Sequence, residues 1–136
     1  MSYTIDRIPS QQPSLAEMAQ IALQALHKAT ADSKQGFFLL IEGSRIDMAS
    51  HSNDPVGHVH DVLAFNDAFR VARKFIEKHG GVLISTSDHE TGGISIGRQT
   101  SASYPEYVWY PEVLANASHS TEYLGKQLAS QAGMSL

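Results

Sequence analysis

The chain has 136 residues, 42% of them apolar, and a formal net charge of -4. That length and apolar content suit one globular domain, or a piece of one, and speak against disorder. Its 10 Lys and Arg form no basic stripe, so nucleic-acid binding has little support, and the absence of cysteine excludes disulfides and thiolate metal sites.

The first thirteen residues read as an extended arm, punctuated by Pro9 and Pro13. They lack the charged-then-apolar pattern of a signal peptide, and the longest apolar run is too short to cross a bilayer. Ser14 and Glu17 make a Ser-x-x-Glu capping box that announces a helix. Leu15, Met18, Ala19, Ala22, Leu23 and Leu26 follow at helical spacing and carry it to about Thr30. Residues 37–41, "FFLLI", are apolar without alternation, which predicts a strand buried on both faces of a parallel sheet. A polar stretch, 42–57, comes next. A second helix is expected over roughly 58–79, with Val59, Val62, Leu63, Phe65, Phe69, Ala72 and Ile76 on its apolar stripe. "VLISTS" at 82–87 reads as a second buried strand, and "ISIG" at 94–97 as a third, short one. Residues 98–110 are irregular and aromatic. Pro111 starts a short helix over 111–117, and Ser120 caps another with Tyr123, Leu124, Leu128 and Ala132 on its apolar face. No repeat, low-complexity tract or internal boundary interrupts the chain.

The expected fold class is therefore α/β, with a parallel β-α-β core at 14–97 and short helices beyond it. In such a unit the strands end on one edge of the sheet, where ligands bind. Glu42, Asp47 and His51 follow the first predicted strand; Asp88 and His89 follow the second. The topology thus predicts one crevice holding three carboxylates and two imidazoles. These are oxygen and nitrogen donors of the kind that hold zinc, with magnesium or manganese at an all-oxygen position. Asp47 and His51 are four apart, so one helical turn places both on one face. Either group alone would be read as a polar surface; two groups, each after a strand, point to a metal site.

Other residues carry less. His58 and His60 fall at a helix start, where Asp61 suits the helix dipole. His27 and His79 lie near helix ends, facing the terminal carbonyls, and His119 lies in a loop. Ser44 and Ser87 invite a Ser-His-Asp reading, but no Gly-x-Ser-x-Gly turn supports it. Tyr104, Tyr107, Trp109 and Tyr110 read as packing. Asn116-Ala117-Ser118 matches a glycosylation acceptor and hints at a secretory route.

"GFFLLIEGSRIDMASHSNDP" and "VLISTSDHETGG" together resemble the metal-binding half of the alkaline phosphatase family, in wording nearest its fungal members. The likeness runs from "YTIDR" at 3–7 to "VWYPEVLANASHSTEYL" at 108–124. The resemblance implies part of a three-layer α/β sandwich, with 98–136 belonging to an insertion. It also implies hydrolysis of phosphate monoesters with two zinc ions and one magnesium, through a phosphoseryl intermediate. By position, Glu42 matches the magnesium ligand, Asp47 and His51 one zinc site, and Asp88 and His89 the other. Homodimers and a vacuolar or secretory compartment are further implications.

The departures are as informative. Nothing here matches the family's Asp-Ser nucleophile segment, its phosphate-gripping Arg, or the third His of the water-activating zinc site. The chain is therefore expected to be a fragment with incomplete metal sites, weak metal affinity and no activity alone. Central strands without neighbours would also leave exposed edges. The alternatives are a non-catalytic metal-binding remnant or interaction module, and a wider-superfamily enzyme such as a sulfatase or phosphoglycerate mutase. "EGSRIDMASH" stands closer to alkaline phosphatase than to either enzyme.

Overall fold

A computed structural model describes residues 1–95, 99, 101–102 and 109–134. In chain order it holds a 3-10 turn at Thr4–Asp6 and five helices: α1 (Leu15–Ala29), α2 (Ser44–His51), α3 (Pro55–His79), α4 (Pro111–Ala115) and α5 (Thr121–Gln131). The capping box forms as its sequence predicts. The Glu17 backbone N–H donates to the Ser14 hydroxyl oxygen, and the Ser14 N–H donates back to the Glu17 carboxylate.

The frame is α3. Its buried Ala68 and Ala72 let α1 approach, which brings Ala19 and Leu23 into the same seam. The two helices run in the same sense, since Leu15 and Met18 share a cavity wall with Leu63 and Ala64 while His27 meets His79. Helix α2 packs on α3 through the fully buried Ala49. The N-terminal arm closes over this frame. Tyr3 is buried beneath the Arg45 guanidinium, which lies 4.2 Å from the ring centre, and Thr4 donates from both its N–H and its hydroxyl to the Asp61 carboxylate.

Helix α5 is pinned at its N-terminus by two carboxylates. Asp6 accepts from the N–H and hydroxyl of the buried Ser120. Asp54 does more: one of its oxygens accepts from the N–H groups of Val56 and Gly57, capping α3, and the other from the N–H and hydroxyl of Thr121. One side chain thereby serves the starts of two helices.

The α/β expectation is overturned. Among the described residues 54% of the structure is helix and none is strand, so neither the β-α-β core nor the sandwich is present. The runs 37–41 and 82–87 lack regular secondary structure and form no ladder. A strand is defined by hydrogen bonds to a neighbour, and an apolar run does not specify one. Burial on both faces fails too: Phe38, Leu40, Val82 and Ile84 are 88%, 76%, 84% and 82% exposed, while Phe37, Leu39, Ile41 and Leu83 are half-buried. Part of the third expected strand, 96–97, lies outside the described residues, as do Tyr104 and Tyr107. Two further differences concern helices. The polar stretch contains α2, and α3 starts at Pro55 rather than near 58, with Asp54 as its cap.

Burial opposes ionisation of Asp54, which is 1% exposed, but the donors of Gly57, Thr121 and Val56 outweigh it and hold the carboxyl below its ordinary value of 3.8. The folded chain therefore takes up this proton less readily than the unfolded chain. Its stabilisation is present above the ordinary aspartate value and is lost as pH falls through the lower folded value. Asp54→Ala should cost about 1–3 kcal/mol at neutral pH in urea unfolding, with a deficit that shrinks as acidification protonates the folded carboxyl. A deficit unchanged by acidification would contradict the role given to its charge.

Candidate metal centre

The short helix α2 fixes half of the candidate site. Its 3.6-residue period puts Asp47 and His51 on one face, with His51 Nε2 3.4 Å from Asp47 Oδ2. The other half follows the extended run 82–87. His89 Nε2 lies 3.4 Å from Asp88 Oδ2 and 3.9 Å from Asp47 Oδ1. His51, Asp47, His89 and Asp88 thus form one continuous chain of alternating imidazoles and carboxylates. Glu42 stands apart. It is exposed, has no hydrogen bond or ion pair to the other four, and lines a separate cavity of about 640 Å³ with Arg7, His60 and Asp61.

Two backbone features bring the halves together. Gly92 has φ +86°, and its Cα packs against the backbone of Ser50, so that a Cβ there would stand 2.5 Å from the Ser50 carbonyl oxygen. Ser50 is itself locked. Its hydroxyl donates to the Ile46 carbonyl at 2.9 Å and lies 2.6 Å from His58 Nδ1, tying the last turn of α2 to the first turn of α3. With that hydroxyl proton given to Ile46, Nδ1 of His58 is the donor. Sequence reasoning missed both Ser50 and His58 as members of this assembly. The signal available was Gly92 itself, a glycine placed just after a ligand-type pair.

The electrostatics suit a cation. His89 Nδ1 donates to the Glu90 carbonyl at 3.0 Å, which leaves the lone pair of the neutral ring on Nε2, facing Asp88 and Asp47. The Glu90 carbonyl, then Asp88, and more weakly Asp47, hold the His89 ring above its ordinary pKa. Asp47 Oδ1 is shielded from solvent and has no hydrogen-bond donor. A buried acceptor left without a donor is costly, and a metal ion is one of the few groups that remove that cost. The donor set therefore fits a divalent ion. Even so, among the described residues no group of three or more His, Asp or Glu side chains already converges on a common centre. The four groups pair with each other instead of turning toward one point.

One of the two hydroxyls read as possible nucleophiles is otherwise engaged. Ser87 donates to the His89 carbonyl at 3.0 Å, so it forms no Ser-His-Asp relay.

A sequence profile of the alkaline phosphatase family matches residues 1–135. An alkaline phosphatase of Schizosaccharomyces pombe is 58% identical over 131 residues, covering 96% of this chain and 25% of that protein. The repressible alkaline phosphatase of Saccharomyces cerevisiae is 54% identical over 130 residues, covering 93% and 23%. A solved cold-active alkaline phosphatase from the psychrophile Shewanella sp. superposes with a TM-score of 0.76 at 30% identity, over 93% of this chain and 29% of that one. The chain spans about a quarter of the length of the curated relatives it matches.

Gly92→Ala should force the Asp88–His89 segment away from α2. The expected loss is about 1–3 kcal/mol in thermal unfolding, together with the disappearance of nuclear Overhauser contacts between the His89 ring and Asp47. Unchanged stability with those contacts retained would contradict the close approach at Ser50.

Proposed function

This chain belongs to the alkaline phosphatase family, and on that premise we propose that it carries part of the metal centre of a phosphomonoester hydrolase. Asp47 and His51 would hold one zinc ion, Asp88 and His89 a second, and Glu42 a magnesium ion. The observation that carries this reading is the Asp47 carboxylate, whose Oδ2 faces His51 and whose donorless Oδ1 faces His89, so that it joins the two sequence motifs. Bound there, the ions would supply charge neutralisation for a phosphoryl group.

The contribution of the protein groups is positional. Asp47 presents one oxygen toward each half of the cluster. The Glu90 carbonyl fixes the His89 tautomer and so aims Nε2 at the carboxylates. Ser50 and Gly92 keep the two halves in register. Two serine hydroxyls near the cluster are turned away from it: Ser50 to Ile46 and His58, and Ser87 to the His89 carbonyl. The 136 residues alone are therefore proposed to bind metal weakly and to leave phosphate monoesters intact.

Calorimetric titration of the chain with zinc tests this. Asp47→Asn and Asp88→Asn should each weaken binding by at least about tenfold, with no turnover of an aryl phosphate at any metal concentration. Binding unaffected by both substitutions would sink the ligand assignment. Turnover that co-purifies with the chain and follows its concentration would sink the claim of inactivity.

A further inference from the structure

The seam between α1 and α3 ends in a pair of histidines that the proposed phosphatase site does not use. Along α1 the seam runs Ala19, Leu23, His27, at intervals of four; along α3 it runs Ala68, Ala72, Phe75, His79, at intervals of four, three and four. The two imidazoles thus sit on the same packed faces as the buried core, one turn beyond it. Their ring centres are 4.3 Å apart with planes inclined at 51°. Phe75 lies beneath both, at 5.5 Å from His27 and 4.6 Å from His79, and Phe37 supports Phe75 at 6.2 Å. Sequence reasoning had these histidines facing helix-terminal carbonyls. Instead, among the described residues, neither makes a hydrogen bond or ion pair, and both remain exposed to solvent.

The ring separation is one that two ligands of a single ion adopt. A ring nitrogen about 2 Å from a metal sets the ring centre about 3.2 Å from it. Two centres separated by 4.3 Å then subtend roughly 85° at a shared ion. That is close to the right angle between neighbouring positions of a square-planar or tetragonal ion, the preference of copper(II) and nickel(II). A tetrahedral zinc ion would need the centres about 5.2 Å apart, so the helix ends would have to separate by roughly 1 Å. We propose that His27 and His79 form a bis-imidazole site for a divalent ion of tetragonal preference, copper(II) or nickel(II), with water completing its shell. Partial desolvation, then His27 and Lys78, hold the His79 ring below its ordinary pKa, so it is a neutral ligand at pH 7. Lys78 and Lys28, adjacent in sequence, add no ligand and oppose a cation, so binding rests on the two lone pairs. The site lies at the far end of α3, about 36 Å of helix from Pro55 and the Asp47 cluster beside it.

Copper(II) chloride titrated into the chain carrying His51→Gln and Asp88→Asn, which disable the other cluster, tests the proposal. One ion should bind per chain. His27→Gln or His79→Gln in that background should each weaken it by at least about tenfold, and the pair together should cost little more than either alone. Sub-stoichiometric copper should also broaden the His27 and His79 ring resonances of that background chain, whose retained backbone spectrum shows that it folds. Affinity within twofold in both single variants, or broadening that spares these two rings, would overturn the proposal.

Discussion

A carboxylate taken out of water must be met by donors, and Asp54 is met by four. Its position decides much else. It lies between the end of α2 and the start of α3, where Asn53, at φ +50°, turns the chain back and the Asp54 N–H returns to the Ala49 carbonyl. One oxygen then opens α3, and the other fixes Thr121 at the start of α5. Three helices are joined at one charge. The consequence for the site is direct, because α2 carries Asp47 and His51, and its direction relative to α3 is set at this corner.

The same corner is where the second half of the cluster arrives. Ser50, four residues before Asp54, presents its carbonyl to Gly92 and its hydroxyl to Ile46 and His58. Only a residue without a side chain can approach that carbonyl so closely. The small cavity left between Ser50, Asp54, His58 and Gly92, about 150 Å³, adjoins the cluster without containing it. The arrangement explains how a segment with no regular secondary structure, 88–93, is held against a helix: by close backbone contact and glycine conformation instead of a ladder.

Legibility in the sequence followed locality. The capping box at Ser14 and the Ser120 cap of α5 are interactions among residues three apart, and they form as their spacing dictates. Helix α2 was not legible, because Gly43 offers no side-chain cap and only Ala49 and Ser50 of its eight residues are buried. The start of α3 was signalled by Asp54-Pro55 but obscured by Gly57, which reads as a break and instead sits where an added Cβ would stand 3.3 Å from the Ala49 methyl group. The strands at 37–41 and 82–87 were misread because hydrophobicity reports a preference for burial without naming the partner. Phe38 and Val82 retain that preference and meet solvent. Of the candidate ligands, Asp47 and His51 met through helical spacing alone, whereas their meeting with Asp88 and His89 required the chain path between them.

The sequence by itself determined the caps of α1 and α5, the residue types of the cluster and the family to which the chain belongs, because each of these is written in short-range spacing or in identity. Only the tertiary structure decided that Glu42 stands apart from the other four, that Asp54 serves two helices, and that His27 and His79 meet across a seam. Those facts depend on residues distant along the chain competing for the same space, and on donors and acceptors that only the folded path brings within reach.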